Sequence, residues 1–219
     1  MRIGSLTHMA VLEPDLFSTD CLIMPEMDRR TKAGKIAWED FQAVNSGRDS
    51  ITIAEHQRIM AIRDAVHAHP LAKKLIDRIA AVEVSTFWQD PDTGVDCRCR
   101  PDAVLDNGML IDLKTTQDAG SGFMWSVKKY RYNVQAAFYA DGMGRSAESQ
   151  RAMIFIAVET NPPYFVCCHI IGTDTLEAGR DNYRRNLETY AECLESGIWL
   201  GYPETLQTIN LPNWATQED

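Results

Sequence analysis

The fold depends most on one segment, which runs Arg100-Pro-Asp-Ala-Val-Leu-Asp-Asn-Gly-Met-Leu-Ile-Asp-Leu-Lys-Thr-Thr116. Asn-Gly between two runs of β-forming residues is a strong signal for a β-hairpin. A two-residue loop, Asn107-Gly108, would point the side chains of Asp102 and Asp112 to opposite faces, because side chains alternate along a strand. A three-residue loop that begins at Asp106, with its glycine in the left-handed conformation, would place Asp102 directly opposite Asp112. We predict the three-residue loop.

In this register the two faces of the hairpin differ in chemistry. One face carries Asp102, Leu110, Asp112 and Lys114. The other face is wholly apolar and consists of Ala103, Leu105, Met109, Ile111 and Leu113. Such a face would pack against a hydrophobic core and hold the acidic face rigidly in place.

The acidic face indicates metal-dependent chemistry. The Cβ atoms of two directly opposed residues are about 5 Å apart, and two carboxylates at that distance repel unless a cation or a proton intervenes. Oxygen ligands of this kind suit Mg²⁺ or Mn²⁺. Lys114 could orient a water molecule or neutralise developing charge, so the implied reaction is hydrolysis of a phosphodiester. The alternative is an ordinary surface ion pair across the hairpin, which would contribute little.

Asp102, Asp112 and Lys114 match the motif of the PD-(D/E)XK nucleases, and the chain resembles the RecE-type, exonuclease VIII-like branch of the RecB-like nucleases. The resemblance extends in order through residues 4–14, 29–35, 87–94 and 97–102. It implies an α/β fold with a PD-(D/E)XK nuclease-like core, a mixed central β-sheet flanked by α-helices. We expect a single nuclease domain over residues 1–219, with a helical part over 1–79, the sheet over 80–172, and a helix and tail over 173–219.

The same resemblance implies a set of metal ligands for two ions. They are the side chains of His8, Glu83, Asp102 and Asp112 and the backbone carbonyl of Leu113. His8 matches a histidine that an N-terminal helix supplies after a glycine, here Gly4, and Glu83 matches an acidic residue on the strand before the hairpin. Without the resemblance, a lone histidine is more often a core or surface residue and a strand glutamate is usually solvated. Alternation over residues 82–88 predicts a strand with Glu83 on the same face as Ser85 and Phe87.

A helix over residues 130–141 would place Tyr132, Gln135, Ala136 and Tyr139 on one stripe. Gln135-x-x-x-Tyr139 matches a motif of RecB-like nucleases whose glutamine and tyrosine line the active site, so the resemblance adds both residues to the catalytic set of Asp102, Asp112 and Lys114. Ordinary aromatic packing is the alternative for the tyrosines. A buried glutamine, in contrast, needs hydrogen-bonding partners.

The formal net charge of −9 excludes a protein that coats DNA with a uniformly basic surface, because affinity for nucleic acid comes largely from phosphate neutralisation. Basic residues are nevertheless clustered in two places. We predict phosphate contacts from the first cluster, Arg29, Arg30, Lys32 and Lys35, and from the second, Lys128, Lys129 and Arg131. The alternative for both clusters is a solvated helix face.

The remaining composition narrows the class of protein. The 219 residues, 45% of them hydrophobic, suffice for one sizeable core. There is no apolar run of bilayer length and no signal-peptide pattern, so we expect a soluble cytoplasmic protein that does not bind a membrane. The six cysteines lack zinc spacing, and they do not reproduce the four spaced cysteines that hold an iron–sulfur cluster in some RecB-like relatives. We therefore expect reduced thiols and no cluster.

Periodicity and turn residues predict the remaining elements. Helices are expected over residues 3–12, 33–46, 53–68, 71–79 and 173–196, the last ended by Gly197. Strands are expected over residues 80–88, 95–105, 109–115, 152–159 and 164–171. Trp214 is expected to dock on its own domain, with docking on a neighbouring subunit as the alternative.

The resemblance implies a Mg²⁺-dependent exonuclease that acts on the ends of double-stranded DNA in the 5′→3′ direction and leaves 3′ single strands for recombination. It further implies a homo-oligomeric ring, as in related phage exonucleases, and a single-strand annealing protein as partner. RecE-like proteins usually carry further sequence before the motif at Gly4, so this sequence is either part of a longer protein or a short natural version of such a protein. Two alternatives remain open: a structure-specific or restriction-type endonuclease, and a catalytically silent DNA-binding module.

Overall fold

The computed structural model of the chain describes residues 2–25, 27–45, 48–144, 153–199 and 201–212. Its helices are α1 Arg2–Leu12, α2 Pro14–Asp20, α3 Lys32–Val44, α4 Ile53–Ala68, α5 Pro70–Ile76, α6 Phe123–Tyr130, α7 Tyr132–Gly144 and α8 Thr173–Ser196. Its strands are β1 Cys21–Ile23, β2 Asp49–Ile51, β3 Ile79–Val82, β4 Thr86–Gln89, β5 Asp96–Cys99, β6 Ala103–Leu105, β7 Leu110–Thr116, β8 Met153–Glu159 and β9 Val166–Ile170. Ala152 and Trp214, which the sequence predictions included, lie outside the described residues.

A five-stranded sheet in the order β3-β6-β7-β8-β9 forms the centre of the molecule. β7 and β8 are parallel, and the other neighbouring pairs are antiparallel. A parallel pair needs a crossover connection, and α6 and α7 provide it. The expected α/β fold with a mixed central sheet and flanking helices is therefore confirmed.

Each face of the sheet carries its own hydrophobic cluster. The first hydrophobic cluster lies on one face, where α1, α4 and α5 contribute Val11, Ile62, Val66 and Leu75. The second hydrophobic cluster lies on the other face, where α6 and α7 contribute Phe123 and Ala136. β8 is buried from Met153 to Val158, as expected for a strand covered on both faces.

The hairpin of β6 and β7 has the predicted register. Ala103 pairs with Ile111 and Val104 with Leu110, so one further step along the ladder sets Asp102 opposite Asp112. The three-residue loop is closed by the Leu105 amide, which donates to the Met109 carbonyl at 2.8 Å. Gly108 has a φ of 84°, the left-handed conformation that this loop requires. The predicted apolar face is also confirmed. Ala103, Leu105, Ile111 and Leu113 belong to the first hydrophobic cluster, and Met109 packs against it.

Two of the predicted strands are wrong. The structure divides each of them into two shorter strands, which belong to different sheets. The strand predicted over residues 80–88 is interrupted after Val82, where Glu83 takes a left-handed φ of 52°. The strand predicted over residues 95–105 is interrupted at Pro101, which lacks the N–H that a ladder needs. The inner halves, β3 and β6, pair in the central sheet, whereas β4 and β5 form a separate hairpin that projects from it.

Helix bounds were easier to predict than strand bounds. The helices predicted over residues 53–68 and 173–196 agree with α4 and α8. Thr52 and Glu55 form a capping box at the start of α4, and Gly197 ends α8 with a φ of 70°. The helix predicted over residues 130–141 begins only at Tyr132, because Arg131 is left-handed and separates it from α6, which was not predicted.

A search of the described helices finds none that is both long enough and apolar enough to cross a bilayer.

Candidate active site

Asp112 lies at the centre of the candidate site. Its side chain is only 1% exposed, in the middle of β7 and under the crossover helices. Its Oδ1 atom accepts a hydrogen bond of 2.6 Å from Nε2 of Gln135. Its Oδ2 atom accepts no hydrogen bond of regular geometry from the described residues, although the Lys114 ammonium lies 2.5 Å away. Burial and the charge of Asp102 raise the pKa of Asp112 to about 6, against the opposing effect of Lys114.

Asp102 joins the hairpin to the N-terminal helix. Its Oδ2 atom accepts a hydrogen bond of 2.7 Å from the Leu113 amide and lies 3.1 Å from Nδ1 of His8. Burial lowers the pKa of His8, but the hydrogen bond to Asp102 and the charges of Asp102 and Asp112 outweigh burial, so that this pKa is raised. The two carboxylates thus make His8 easier to protonate than a free imidazole.

A close approach of α1 to β7 positions His8. A Cβ atom at Gly4 would lie 3.2 Å from Oγ1 of Thr115, which is tighter than most contacts of real Cβ atoms. Leu6 and Ala10 of the same helix pack with Ile59 of α4. The helix is thus held on both sides, and Gly4-x-x-x-His8 places the histidine beside Asp102.

Lys114 lies beside Asp112 and over an aromatic ring. Its ammonium is 4.5 Å from the centre of the Tyr132 ring, a cation–π contact that restrains its direction. Tyr132 was predicted on the stripe of α7 but not in this role. The Tyr132 ring in turn packs against Phe155 at 5.8 Å and Phe123 at 6.1 Å.

The stripe predicted on α7 is confirmed as a packing surface. Tyr132, Ala136 and Tyr139 all pack in the second hydrophobic cluster, and Gln135 reaches Asp112. Burial raises the pKa of the Tyr139 phenol, while a hydrogen bond with Gln135 lowers it and the charge of Asp112 raises it further. Tyr139 thus contacts Gln135, and Gln135 in turn contacts the carboxylate of Asp112.

Glu83 is near the site, but the prediction that it lies on a strand face is wrong, because the chain leaves β3 at Val82. Its amide donates to the Asp102 carbonyl at 2.9 Å, and its Oε2 atom lies 2.6 Å from Nε of Arg100. The pKa of Glu83 is raised. Burial raises it most, and the charges of Asp102 and Glu13 raise it further, against the opposing charge of Arg100. Glu13, at the start of α2, is therefore a carboxylate of this neighbourhood that the sequence reasoning missed; its only signal was its position five residues after His8.

A divalent metal ion suits the donor chemistry of the site. The buried Oδ2 atom of Asp112 lacks a regular hydrogen bond, and repulsion from Asp102 raises the pKa of Asp112. A nearby cation would give that oxygen atom a partner and would reduce the repulsion. The ligands are not gathered in advance, however: over the described part of the chain, no group of three or more His, Cys, Asp and Glu side chains is close enough to hold a metal ion. The metal roles of His8, Glu83, Asp102, Asp112 and the Leu113 carbonyl remain predictions.

The two predicted basic clusters have different surroundings. In the first, Arg29 stacks over the Trp38 ring at 3.6 Å, and Arg30 is paired with Asp28 at 2.9 Å, so part of its charge is already neutralised. Lys32 and Lys35 follow in the first turn of α3. In the second cluster, Lys128 and Lys129 lie in the last turn of α6, and Arg131 caps that helix directly before Tyr132. The second cluster is thus next to the active site along the chain.

The mixed sheet, the opposed aspartates and the lysine two residues further on define a protein of the PD-(D/E)XK class. The chain belongs to the family described as a PDDEXK-like domain of unknown function (DUF3799), whose profile matches residues 1–212. Members of the PDDEXK class generally use divalent metal ions, and this membership supports a nuclease.

Comparisons with individual proteins add the fold of one relative. A search of the curated proteins gives no match. The crystal structure of a protein named "Putative exonuclease" from Eubacterium rectale superposes with a TM-score of 0.56 at 11% identity, over 74% of this chain. The match spans 63% of the length of that protein, and at this identity it establishes a shared fold. The crystal structure of SSO0001 gives a TM-score of 0.33 at 14% identity, over 72% of this chain and 69% of that one, which is too low to establish a shared fold.

Proposed function

We propose that this chain is a Mg²⁺-dependent exodeoxyribonuclease of the RecE type, which degrades double-stranded DNA from its ends in the 5′→3′ direction and leaves 3′ single strands. The observation that carries the proposal is the convergence on Asp112 of Gln135, Lys114 and, across the hairpin, Asp102 with His8. A surface ion pair, the alternative for the motif, does not fit a carboxylate that is 1% exposed and held by two partners.

The chain's own residues divide the work of phosphodiester hydrolysis. Asp102 and Asp112 would hold the metal, with His8 anchoring Asp102 and Gln135 fixing Asp112 in one orientation. A bound divalent ion supplies a Lewis acid and lowers the pKa of a water molecule. Lys114, held against the Tyr132 ring, would place its ammonium near a phosphate oxygen that gains negative charge. Burial under α6 and α7 strengthens these interactions by excluding water.

The proposal includes an assembly and a setting that follow from the RecE-type resemblance. We propose that copies of the chain form a ring around DNA and that a single-strand annealing protein takes up the product. We place the reaction in the cytoplasm, in recombination of DNA ends.

The experiment is digestion of linear duplex DNA that carries different labels at its 5′ and 3′ ends, beside closed circular DNA, with Mg²⁺ or with EDTA. The expected result is release of the 5′ label first from linear DNA, with no cutting of the circle and no reaction in EDTA. Asp112→Asn should abolish the reaction, whereas the matched control Asp64→Asn, at an exposed helical aspartate, should not. Cutting of the circle would replace the proposal by an endonuclease, and first release of the 3′ label would overturn the polarity.

A further inference from the structure

A cleft of about 440 Å³ lies beside the active site, between the end of β7 and helix α6. We call it the α6 cleft. Thr115 and Thr116, which directly follow Lys114, form one wall, and Trp125, Lys129, Tyr130 and Tyr132 form the other. The proposed hydrolysis does not use this space.

Two aromatic side chains of the cleft are unusually open to solvent. Trp125 is 61% exposed and Tyr130 is 57% exposed, although both are large rings that a helix normally buries. The buried side of α6 is held by Phe123 instead, which is 1% exposed in the second hydrophobic cluster. Trp125 and Tyr130 are therefore not needed to attach the helix, and the exposed part of each ring can be contacted by another planar group.

Positive charge accompanies both exposed rings. The ammonium of Lys128 lies 5.9 Å from the centre of the Trp125 ring, and that of Lys129 lies 5.2 Å from the centre of the Tyr130 ring. Asp118 also lines the cleft, but its carboxylate accepts a hydrogen bond of 2.8 Å from the Gly120 amide. Flat apolar surface beside lysines is the combination by which proteins hold single-stranded nucleic acid, because bases stack on the rings and phosphates meet the cations.

The cleft is continuous with the active site through Tyr132. The rings of Tyr130 and Tyr132 stack with their centres 5.6 Å apart, and Lys114 lies over Tyr132. The left-handed Arg131 between α6 and α7 makes this arrangement possible by turning the chain between the two tyrosines. A strand whose phosphate lies at Lys114 would thus meet Tyr130 and then Trp125 within a few nucleotides.

We propose that the α6 cleft binds unpaired nucleotides of the DNA strand that passes the active site, and that Trp125 and Tyr130 stack on their bases. The inference rests on the proposed nuclease function and adds to it the separation of the strands near the site of cutting. Duplex DNA does not fit this role, because its bases are stacked on each other and do not offer free faces.

The test measures binding of labelled single strands by fluorescence anisotropy in EDTA, where no hydrolysis is expected. The probes are oligothymidylate of about 12 nucleotides and an abasic oligomer of equal length, within the range of known single-strand sites. The wild type should bind the thymidylate more tightly. The double variant Trp125→Ala with Tyr130→Ala should bind it about five-fold or more weakly while its affinity for the abasic oligomer is unchanged.

Two control variants separate stacking from a change of structure. Trp125→Phe with Tyr130→Phe keeps both ring faces and should keep most of the preference for bases. Tyr202→Ala removes a tyrosine that is 99% exposed on the C-terminal segment and should change neither affinity. Equal weakening for both oligomers in the double alanine variant, or equal binding of both by the wild type, would overturn the inference.

The two proposals can fail separately. If linear duplex DNA is not degraded with Mg²⁺ but the base preference in EDTA depends on Trp125 and Tyr130, the nuclease proposal fails and the binding site stands. If degradation proceeds and the preference is absent, only the binding site fails.

Discussion

At the scale of single residues, Asp112 shows which side-chain contacts a sequence motif can predict and which it cannot. Its pairing with Asp102 could be predicted, because the three-residue loop, unlike the two-residue loop, puts the two carboxylates on one face and leaves a wholly apolar face behind. Its contact with Gln135 could be predicted only through the resemblance, since helix periodicity gives the stripe but not the strand that it faces. The ion pair of Glu83 with Arg100 had no signal at all, because it depends on a left-handed residue that is not a glycine.

Gln135 should be a positioning residue for Asp112. Gln135→Ala would leave Oδ1 of a buried carboxylate without its hydrogen bond, so we expect nuclease activity to fall about 10- to 100-fold, the usual effect of removing a partner of a metal ligand. The loss should appear in the Mg²⁺ concentration that gives half-maximal rate as well as in kcat. Gln42→Ala, at an exposed glutamine of α3, is the matched control. An unchanged Mg²⁺ dependence in Gln135→Ala would contradict the assigned role.

The raised pKa of Asp112 predicts how the metal-free protein responds to pH. A carboxyl whose pKa is raised from 3.8 to about 6 binds its proton more tightly when folded, so the free energy of unfolding should fall as pH rises between these two values. Asp112→Asn removes this titration, and in EDTA the variant should be the more stable protein above about pH 6. Thermal unfolding of both proteins from pH 4 to 8 measures the difference. A gap between their melting temperatures that does not grow with pH would contradict the prediction.

At the scale of elements, the hairpin of β4 and β5 explains why strand bounds failed where helix bounds succeeded. Alternation runs from Ala80 to Trp88 without a visible break, yet the chain leaves the central sheet at Glu83. What directs β4 elsewhere is tertiary: the Trp88 ring packs on Phe138 of α7 at 4.9 Å, and no local pattern in the sequence encodes that contact. The break between β5 and β6, in contrast, is indicated in the sequence by Pro101, since proline cannot donate a hydrogen bond to a strand ladder.

An ion pair fastens this hairpin to α8. Arg184 is paired with Asp90, which is 3% exposed in the β4–β5 turn, and with Asp92 at 2.5 Å. Arg184→Met should reduce the free energy of unfolding by roughly 2–3 kcal/mol, less than for a fully enclosed pair because the Arg184 side chain is 23% exposed. Urea denaturation measures this loss. Arg30→Met, at the exposed pair with Asp28, should change stability very little.

The same pair should lose its effect in acid. Burial raises the pKa of Asp90, but hydrogen bonds from Arg184 and Thr93 outweigh burial, so that this pKa is lowered. The stabilisation is therefore fully present above the ordinary pKa of 3.8 and is lost as pH falls through the lowered value. The difference between wild type and Arg184→Met should shrink accordingly, and a difference that is constant into acid would show that packing, not charge, is responsible.

At the scale of the whole molecule, a net charge of −9 and a proposed DNA-binding role are compatible only if charge is segregated. The sequence showed the two basic clusters, but only the structure shows that Lys129 lines the cleft beside the active site while Arg30 is already paired. The position of a basic cluster relative to the active site therefore decides whether it can contact the DNA there. The sequence alone does not give that position.

Salt dependence can test this segregation. Changing Lys128, Lys129 and Arg131 to Gln should weaken duplex binding in EDTA and reduce the slope of log affinity against log salt by about 0.9 for each phosphate that is no longer neutralised. The control changes Lys73, Lys74 and Arg78 to Gln, which alters net charge equally on another part of the surface. Equal effects of the two triple variants would mean that net charge alone matters.

The dispersal of the site along the chain has a consequence for how activity appears during folding. His8 is on the first helix, Asp102 and Asp112 are on the hairpin, and Gln135 is on a helix of the crossover that joins β7 to β8. Contacts between such distant segments form late, because loop closure must precede them. Partly folded chains should therefore be inert toward DNA, so that cutting begins only when the whole sheet has closed.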